Sequence, residues 1–91
     1  MPDPRDVPVN KLLYKIVCAL VDQPEFVIIK THVAEEGASF AIDVHPEDTG
    51  KLIGKQARNA KSLRIILNAI GMKLHRRYRI EVDGDPVEAN S

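Results

Sequence analysis

One short segment of this chain combines residue types that could hold a phosphate group. It reads Gly-Lys-Leu-Ile-Gly-Lys-Gln-Ala-Arg over residues 50–58. Gly54 allows a tight turn and lets a phosphate approach the backbone without a Cβ in the way. A long helix is predicted to begin at Ala57 or Arg58, so its free N–H groups would point at the same place. The nearby lysine and arginine side chains add positive charge, which makes the segment a candidate clamp for a sugar–phosphate backbone.

The same residues also fit a solvated corner between two helices, and a lone glycine by itself favours that interpretation. Two known phosphate-binding loops are excluded. A Walker A loop needs G-x4-G-K-[ST], whereas Gly50 and Gly54 are one residue too close and Gln56 stands where Ser or Thr would bind magnesium. The dinucleotide motif G-x-G-x-x-G is absent, together with the parallel βαβ unit that it requires. Nucleotide hydrolysis is therefore not supported.

No group of residues predicts catalysis or a metal site. His32, His45 and His75 fall in three different predicted elements, and the sequence has one cysteine and no H-E-x-x-H motif to bind zinc. Ser39, Asp43 and His45 lie on one short strand, where they cannot form a nucleophile–base arrangement. We therefore expect no enzyme, no catalytic residue, no metal, no cofactor and no small-molecule substrate.

The formal net charge of zero hides an uneven distribution of charge. Residues 49–80 contain nine of the 13 Lys and Arg residues and none of the 13 Asp and Glu residues. This asymmetry is consistent with one face that binds a polyanion, while the acidic remainder limits nonspecific association. A solvated basic helix that pairs with acidic strands explains the charge pattern equally well.

Hydropathy patterns predict a helix and two strands in the first half of the chain. Apolar residues from Val9 to Leu20 recur at helical spacing, and this helix should stop before Pro24. Residues 26–33 and 39–44 are rich in β-forming side chains, and the Glu-Glu-Gly turn between them indicates a hairpin.

The second half predicts two helices and a last strand. Pro46 with two following acids begins a short helix, because proline and acidic side chains favour a helix N-terminus. A longer helix follows with apolar residues from Ala60 to Leu74 on one face, and Tyr78 to Val82 alternate as a strand. The order α-β-β-α-α-β predicts an α+β domain with its helices packed on one face of a three-stranded sheet.

A chain of 91 residues should form one domain. We place it at residues 9–83, between a flexible N-terminal segment at 1–8 and a disordered acidic tail at 84–91. The longest apolar run, six residues from Ile16 to Val21, is far shorter than the roughly 20 residues of a membrane span. With no secretory-signal pattern and a single cysteine, Cys18, a cytoplasmic location is expected and no membrane association.

Around the candidate clamp the sequence resembles the centre of a KH domain. The resemblance is carried by Ile53–Gln56, preceded by Asp48–Lys51 and followed by Ala60–Arg64. From Asn10 to Val82 the chain is similar to the small bacterial RNA-binding proteins of the KhpA type, which contain a single KH domain. The order of predicted elements is that of a type II KH fold, so the resemblance implies one domain of this type.

This resemblance implies binding of single-stranded RNA with low sequence specificity. In KH domains the GXXG loop clamps the backbone of about four nucleotides, beside an aliphatic groove that receives the bases. The residues that the resemblance assigns are Gly54, Lys55, Gln56 and Ala57 in the loop, Lys51, Arg58 and Lys61 as phosphate contacts, and Leu52, Ile53, Leu63 and Val44 in the groove. The residues do not distinguish RNA from single-stranded DNA.

The family also implies protein partners and a cellular role. The partner would be a larger KH protein of the KhpB type or a second copy of the chain, and the role that of an RNA chaperone in gene expression and cell-wall homeostasis. Ala57 departs from the family pattern, because it stands where the second loop glycine is expected. This departure keeps an alternative open, a dimerisation or docking module with weak or no RNA binding that would use an exposed aliphatic surface around Leu52 and Ile53.

Overall fold

The computed structural model describes residues 3–53 and 58–87, and its elements follow the predicted α-β-β-α-α-β order. The elements are α1 (Asp6–Leu20), β1 (Ile28–Val33), β2 (Gly37–Asp43), α2 (Thr49–Ile53), α3 (Arg58–Leu74), β3 (Arg77–Val82) and β4 (Asp85–Pro86). Short 3-10 turns at Pro24–Phe26 and Pro46–Asp48 precede β1 and α2. The first strand therefore begins two residues later than predicted, after a proline-led turn.

The sheet is mixed, with strand order β1-β2-β3-β4. The central strand β2 pairs antiparallel with β1 and parallel with β3. The hydrophobic core lies between the helices and one face of this sheet, as the alternating pattern of β2 and β3 requires. The buried core side chains of the two strands are Ala38, Phe40, Ile42, Tyr78, Ile80 and Val82, and those of α1 and α3 are Val9, Leu13, Val17, Ala60, Leu63 and Leu67.

The end of the sheet differs from the prediction of a disordered tail from residue 84. Asp83 and Gly84 both have positive φ, 48° and 89°, which is the conformation of a two-residue hairpin turn that favours Asp-Gly. This turn returns the chain along β3, where β4 forms, and Val87 packs against the core. The tail prediction is wrong for residues 84–87, and residues 88–91 lie outside the described residues.

The start of the chain is also more ordered than predicted, because α1 begins at Asp6 rather than at Val9. Asp6 is buried, and its carboxylate accepts hydrogen bonds from Arg76 Nε at 3.1 Å and Arg76 Nη2 at 2.7 Å. The Tyr78 hydroxyl donates a third bond to the same carboxylate at 2.8 Å. These contacts attach the first turn of α1 to β3.

Arg76 extends this connection to the β1–β2 turn. Its guanidinium also donates to the carbonyl oxygens of Glu35 at 3.1 Å and Gly37 at 2.9 Å. The side chain is almost fully buried, so Arg76 belongs to the interior and not to a basic surface.

Burial, together with the hydrogen bond to Asp6, raises the pKa of Tyr78 to about 12.

The junction between α3 and β3 depends on two unusual backbone positions. His75 has a φ of 59°, and the Arg76 N–H donates to the Gly71 carbonyl at 2.9 Å, a C-cap of the Schellman type. A Cβ on Gly71 would lie only 2.4 Å from the Arg76 carbonyl oxygen. A glycine is therefore required at position 71 for the chain to turn back closely onto α3.

Candidate nucleic-acid interface

The predicted clamp lies between two helices whose placement agrees with the prediction. The short helix α2 ends at Ile53 and the long helix α3 begins at Arg58. The four loop residues Gly54, Lys55, Gln56 and Ala57 lie outside the described residues, so their predicted contacts stay predictions. The described residues around α2 show which contacts position the helix that leads into this loop.

The entry to α2 is fixed by a buried carboxylate. Asp48 is 1% exposed, and its two oxygens accept hydrogen bonds from the backbone N–H groups of Asp22 at 3.1 Å and Gln23 at 3.0 Å. Its own N–H donates to the His45 carbonyl at 2.7 Å. Asp48 thus joins the turn before α2 to the loop that follows α1.

A second carboxylate holds the first residue of α2 from the other side. Asp83, in the turn between β3 and β4, accepts a bond from the Val44 N–H at 3.3 Å and another from the Thr49 hydroxyl. Two carboxylates from different parts of the chain therefore anchor the N-terminal end of the helix that leads into the loop. Sequence reasoning missed both, although the Asp-Gly hairpin signal at residues 83–84 could have placed Asp83 near the sheet.

His45 has a capping role rather than a ligand role. Its Nδ1 accepts a hydrogen bond from the Glu47 N–H at 3.1 Å at the start of the Pro46–Asp48 turn. The Phe26 ring packs edge-on against the imidazole, with a centroid distance of 4.8 Å. The contact between Phe26 and His45 therefore packs the turn before β1 against the start of the turn that leads into α2.

Three of the four predicted groove residues are buried. Leu52 is 0% exposed, and Leu63 and Val44 are also buried, so all three pack in the hydrophobic core. The assignment of Leu52, Ile53, Leu63 and Val44 to a groove for bases stays a prediction, and the burial of three of them means that they would contact a base only at the edge of the core. For Ile53 the structure describes the backbone and not the side chain.

The predicted phosphate contacts lie at the two ends of the loop. Lys51 is in α2, Arg58 is the first residue of α3, and Lys61 follows one turn later. The side chain of Lys61 is half-buried, and those of Lys51 and Arg58 lie outside the description. Since α3 has 17 residues, the positive end of its dipole lies at its N-terminus, next to residues 54–57.

The basic block of residues 49–80 does not form one surface. Arg76 is buried against Asp6, and Arg77 and Arg79 alternate with the core residues of β3. Their side chains therefore point away from the helices, to the solvent-facing side of the sheet. The expectation of a single polyanion-binding face is therefore wrong for Arg76, Arg77 and Arg79, which do not share a face with the basic residues around the loop.

The described residues contain no cluster of three or more His, Cys, Asp or Glu side chains that could hold a metal ion. The three histidines lie apart, with His32 on β1, His45 at the turn before α2, and His75 after α3. Within residues 3–53 and 58–87, no helix is both long enough and apolar enough to cross a membrane.

Comparisons with known proteins agree with this architecture. A model of the KhpA/KhpB KH domain matches residues 10–82. The chain is 41% identical to RNA-binding protein KhpA of Halalkalibacterium halodurans over 71 residues, which cover 78% of the chain and 93% of that protein. It is 37% identical to RNA-binding protein KhpA of Listeria monocytogenes over 73 residues, covering 80% and 96%.

A third relative, RNA-binding protein KhpA of Bacillus subtilis, is 32% identical over 77 residues, which cover 85% of the chain and 95% of that protein. No solved structure was found to match. The family match and the identities to these relatives extend across nearly all of the helices and strands described above. The chain therefore belongs to the KhpA/KhpB family of KH domains, which are binding domains and not enzymes.

Proposed function

We propose that this protein binds single-stranded RNA in the cytoplasm, through the loop of residues 54–57. The observation that carries the proposal is the short helix α2 before residues 54–57 and the long helix α3 after them, as in a KH domain, with the entry to α2 anchored by Asp48 and Asp83. The relatives that match most of the chain are named RNA-binding proteins. Residues 49–80 contain no Asp or Glu, which also favours a polyanionic ligand.

Backbone contacts supply most of the proposed binding energy. Lys55 and the N-terminus of α3 bind one phosphate, and Lys51, Arg58 and Lys61 bind its neighbours along the strand. Alanine has a high helix propensity, so we expect Ala57, just before the first residue of α3, to leave the fold intact while its methyl group limits how closely a phosphate approaches. Because phosphates carry no base identity, sequence preference is low and single-stranded DNA is a second substrate for the same clamp.

The bases lie beside the loop, on a surface that the core supports from beneath. Ile53 is the proposed base contact from α2. The buried side chains of Val44, Leu52 and Leu63 support it, since they keep α2 and α3 packed on the sheet. A shallow surface of this kind accommodates few bases, which again limits sequence specificity.

The proposed cellular role is that of an RNA chaperone in the control of gene expression and cell-wall homeostasis. A domain with a short footprint and low specificity contacts many transcripts weakly, and a larger KH protein of the KhpB type would lengthen that footprint. Linking two such modules raises overall affinity without any new contact within either module.

The loop is tested by the double substitution Lys55→Asp/Gln56→Asp. Binding of a short RNA, measured by fluorescence anisotropy, should be lost, because two carboxylates would face the phosphates. The thermal unfolding midpoint should change little, because neither residue is part of the described core. The control is Lys11→Asp/Lys15→Gln, which makes the same change in net charge on the exposed side of α1. Normal binding by the loop variant, or equal loss in the control, would contradict the loop assignment.

A second candidate function is self-association or docking through α3. Its outward side carries Ile65, Ile66 and Met72, with Ile65 59% and Met72 80% exposed. Ile65, Ala69 and Met72 fall on one helical stripe with Ile66 beside it, so these exposed apolar side chains form a strip that a second copy could cover. The strip is an alternative to the surface predicted around Leu52 and Ile53, of which Leu52 is buried.

Sedimentation equilibrium of the wild type and of Ile65→Lys/Met72→Lys distinguishes the two candidates. If the protein is a dimer, the substitutions should convert it to a monomer without loss of helix content. A monomeric wild type at cellular concentrations would remove this second candidate and leave RNA binding unaffected.

A further inference from the structure

The face of the sheet that points away from the helices carries a group of basic side chains outside the loop region. The registers of β1, β2 and β3 place His32, Ser39 and Arg79 in one row across this face. Lys30 lies two residues before His32 on β1, and Arg77 lies two residues before Arg79 on β3. We call these four basic residues, Lys30, His32, Arg77 and Arg79, the sheet-face cluster.

The sheet-face cluster is exposed and its charges are not neutralised by partners. All four side chains are exposed, and within residues 3–53 and 58–87 none of them forms a side-chain hydrogen bond or an ion pair. One acidic side chain shares the face with the cluster, because Glu81 lies opposite Lys30 across Ala41. Asp43 lies one row beyond, and Glu35 and Glu36 are in the β1–β2 turn. His32, Arg77 and Arg79 thus have no acidic residue opposite them across β2, and the four basic residues outnumber the acids on this face.

The shape of the face suits an extended chain. The cluster residues on β1 and those on β3 have β2 between them, so the two pairs of side chains are about 10 Å apart across the sheet. Between them β2 presents only short side chains, at Ser39 and Ala41. The basic side chains of β1 and of β3 therefore lie on either side of a shallow channel that runs along β2. Arginine binds phosphate with two parallel hydrogen bonds, and such contacts from both sides fit a strand that follows the channel.

A protein partner fits this face less well than a nucleic acid does. Protein interfaces have a core of large apolar or aromatic side chains. Among the described residues of β1, β2 and β3 on this face, the one large apolar side chain is Ile28, which pairs with Asp43 and lies away from Arg77 and Arg79. The unpaired cations are complementary to phosphates and not to an apolar partner surface.

The cluster is too far from the loop to share its four-nucleotide footprint. Arg77 and Arg79 follow the C-terminus of α3, whereas the loop precedes its N-terminus, and the 17 residues of this helix span about 25 Å. We propose that the sheet-face cluster is a second RNA-binding surface, which holds the phosphates of the same single strand beyond the part bound at the loop. The proposal rests on the proposed function of the loop, and the following experiment separates the two.

The test compares an RNA tetranucleotide with a dodecanucleotide of mixed sequence, in fluorescence anisotropy titrations at several salt concentrations. The variant Arg77→Gln/Arg79→Gln should bind the tetranucleotide within twofold of the wild type and the dodecanucleotide at least fivefold more weakly. Because two phosphate contacts are lost, the salt slope for the dodecanucleotide should fall by about 1.4. Lys30→Gln/His32→Gln, on the opposite side of the channel, should show the same pattern with a smaller effect.

The control Lys11→Gln/Lys15→Gln removes two exposed charges from α1 and should leave both titrations unchanged. An unchanged dodecanucleotide affinity in the sheet-face variants would overturn the proposal, and so would an equal loss for both RNA lengths or an equal loss in the control. A change of oligomeric state without a change in RNA affinity would assign the face to a protein partner instead. If the wild type binds neither RNA, the loop proposal fails as well, and this result differs from every other outcome.

Discussion

Asp6 and Arg76 form a bidentate ion pair in the interior, although 70 residues separate them in the chain. Both side chains are nearly inaccessible to solvent, at 2% and 3% exposure. The Tyr78 hydroxyl and two backbone carbonyls complete the hydrogen bonding of the pair. One charged pair therefore joins the N-terminal turn of α1, the β1–β2 turn and the start of β3.

Removing one member of this pair should be strongly destabilising. Asp6→Ala leaves the Arg76 guanidinium buried without its counter-charge, and we expect a loss of about 3–5 kcal/mol in the free energy of unfolding by urea. The exposed control Glu25→Ala should change it by less than about 0.5 kcal/mol. Replacing both members, as Asp6→Leu/Arg76→Met, should cost less than Asp6→Ala alone. Wild-type stability for Asp6→Ala would show that the pair contributes nothing.

The raised pKa of Tyr78 predicts a loss of stability in alkaline solution. In the unfolded chain the phenol ionises near pH 10, and in the folded protein only near a pKa of about 12. The buried phenol therefore contributes fully to the free energy of unfolding below pH 10. This contribution decreases as the pH rises toward 12, by roughly 3 kcal/mol in total. Urea unfolding between pH 9 and pH 11.5 should show this decrease in the wild type. Tyr78→Phe should show a shallower decrease, and an identical slope in both proteins would contradict the assignment.

Two helical glycines should respond in opposite ways to alanine. Gly71→Ala places a Cβ 2.4 Å from the Arg76 carbonyl oxygen, so the turn after α3 must shift, at a cost of about 1–3 kcal/mol. A Cβ on Gly50 meets no atom within 4 Å, and Gly50→Ala should stabilise α2 by up to about 1 kcal/mol. Thermal unfolding of the two variants measures both effects, and a stabilised Gly71→Ala would contradict the close packing at this turn.

Asp83 should hold α2 through its side chain and not only through its backbone conformation. Asp83→Ala removes the acceptor for the Val44 N–H and the Thr49 hydroxyl and also disfavours the positive φ, so we expect a loss of about 2 kcal/mol. Asp83→Asn tolerates the same φ and keeps one acceptor, and its loss should be less than half as large. Urea unfolding compares the two variants. Equal losses in the two variants would show that neither the retained acceptor nor the tolerated φ of asparagine contributes, and would contradict this account.

The order of elements could be predicted from the sequence because each element carries its own periodic pattern. The apolar face of α3 and the alternation of β2 and β3 depend on near neighbours in the chain, and the structure confirms the predicted α-β-β-α-α-β order. The helix–loop–helix around residues 54–57 was predictable for the same reason, because proline, acids and glycine mark its boundaries locally.

Other features could not be predicted, because they depend on contacts between distant residues. Nothing near Asp6 indicates burial, since its partner Arg76 lies at the other end of the chain. Leu52 has the same hydrophobicity in a groove as in a core, and only the position of α2 on the sheet decides between them. Arg76 and Arg77 are adjacent in a basic block, yet the register of β3 buries one and exposes the other.

The central claim is that the loop of residues 54–57 binds single-stranded RNA. The most direct test is an NMR titration of isotope-labelled protein with an RNA tetranucleotide, at low and at moderate salt and at a concentration where the protein is monomeric. We predict shifts at the amides from Gly54 to Lys61 that weaken as salt rises, with Arg77 and Arg79 unchanged because this RNA is too short to reach them. A spectrum that RNA leaves unchanged, or shifts confined to the outward side of α3, would contradict the claim.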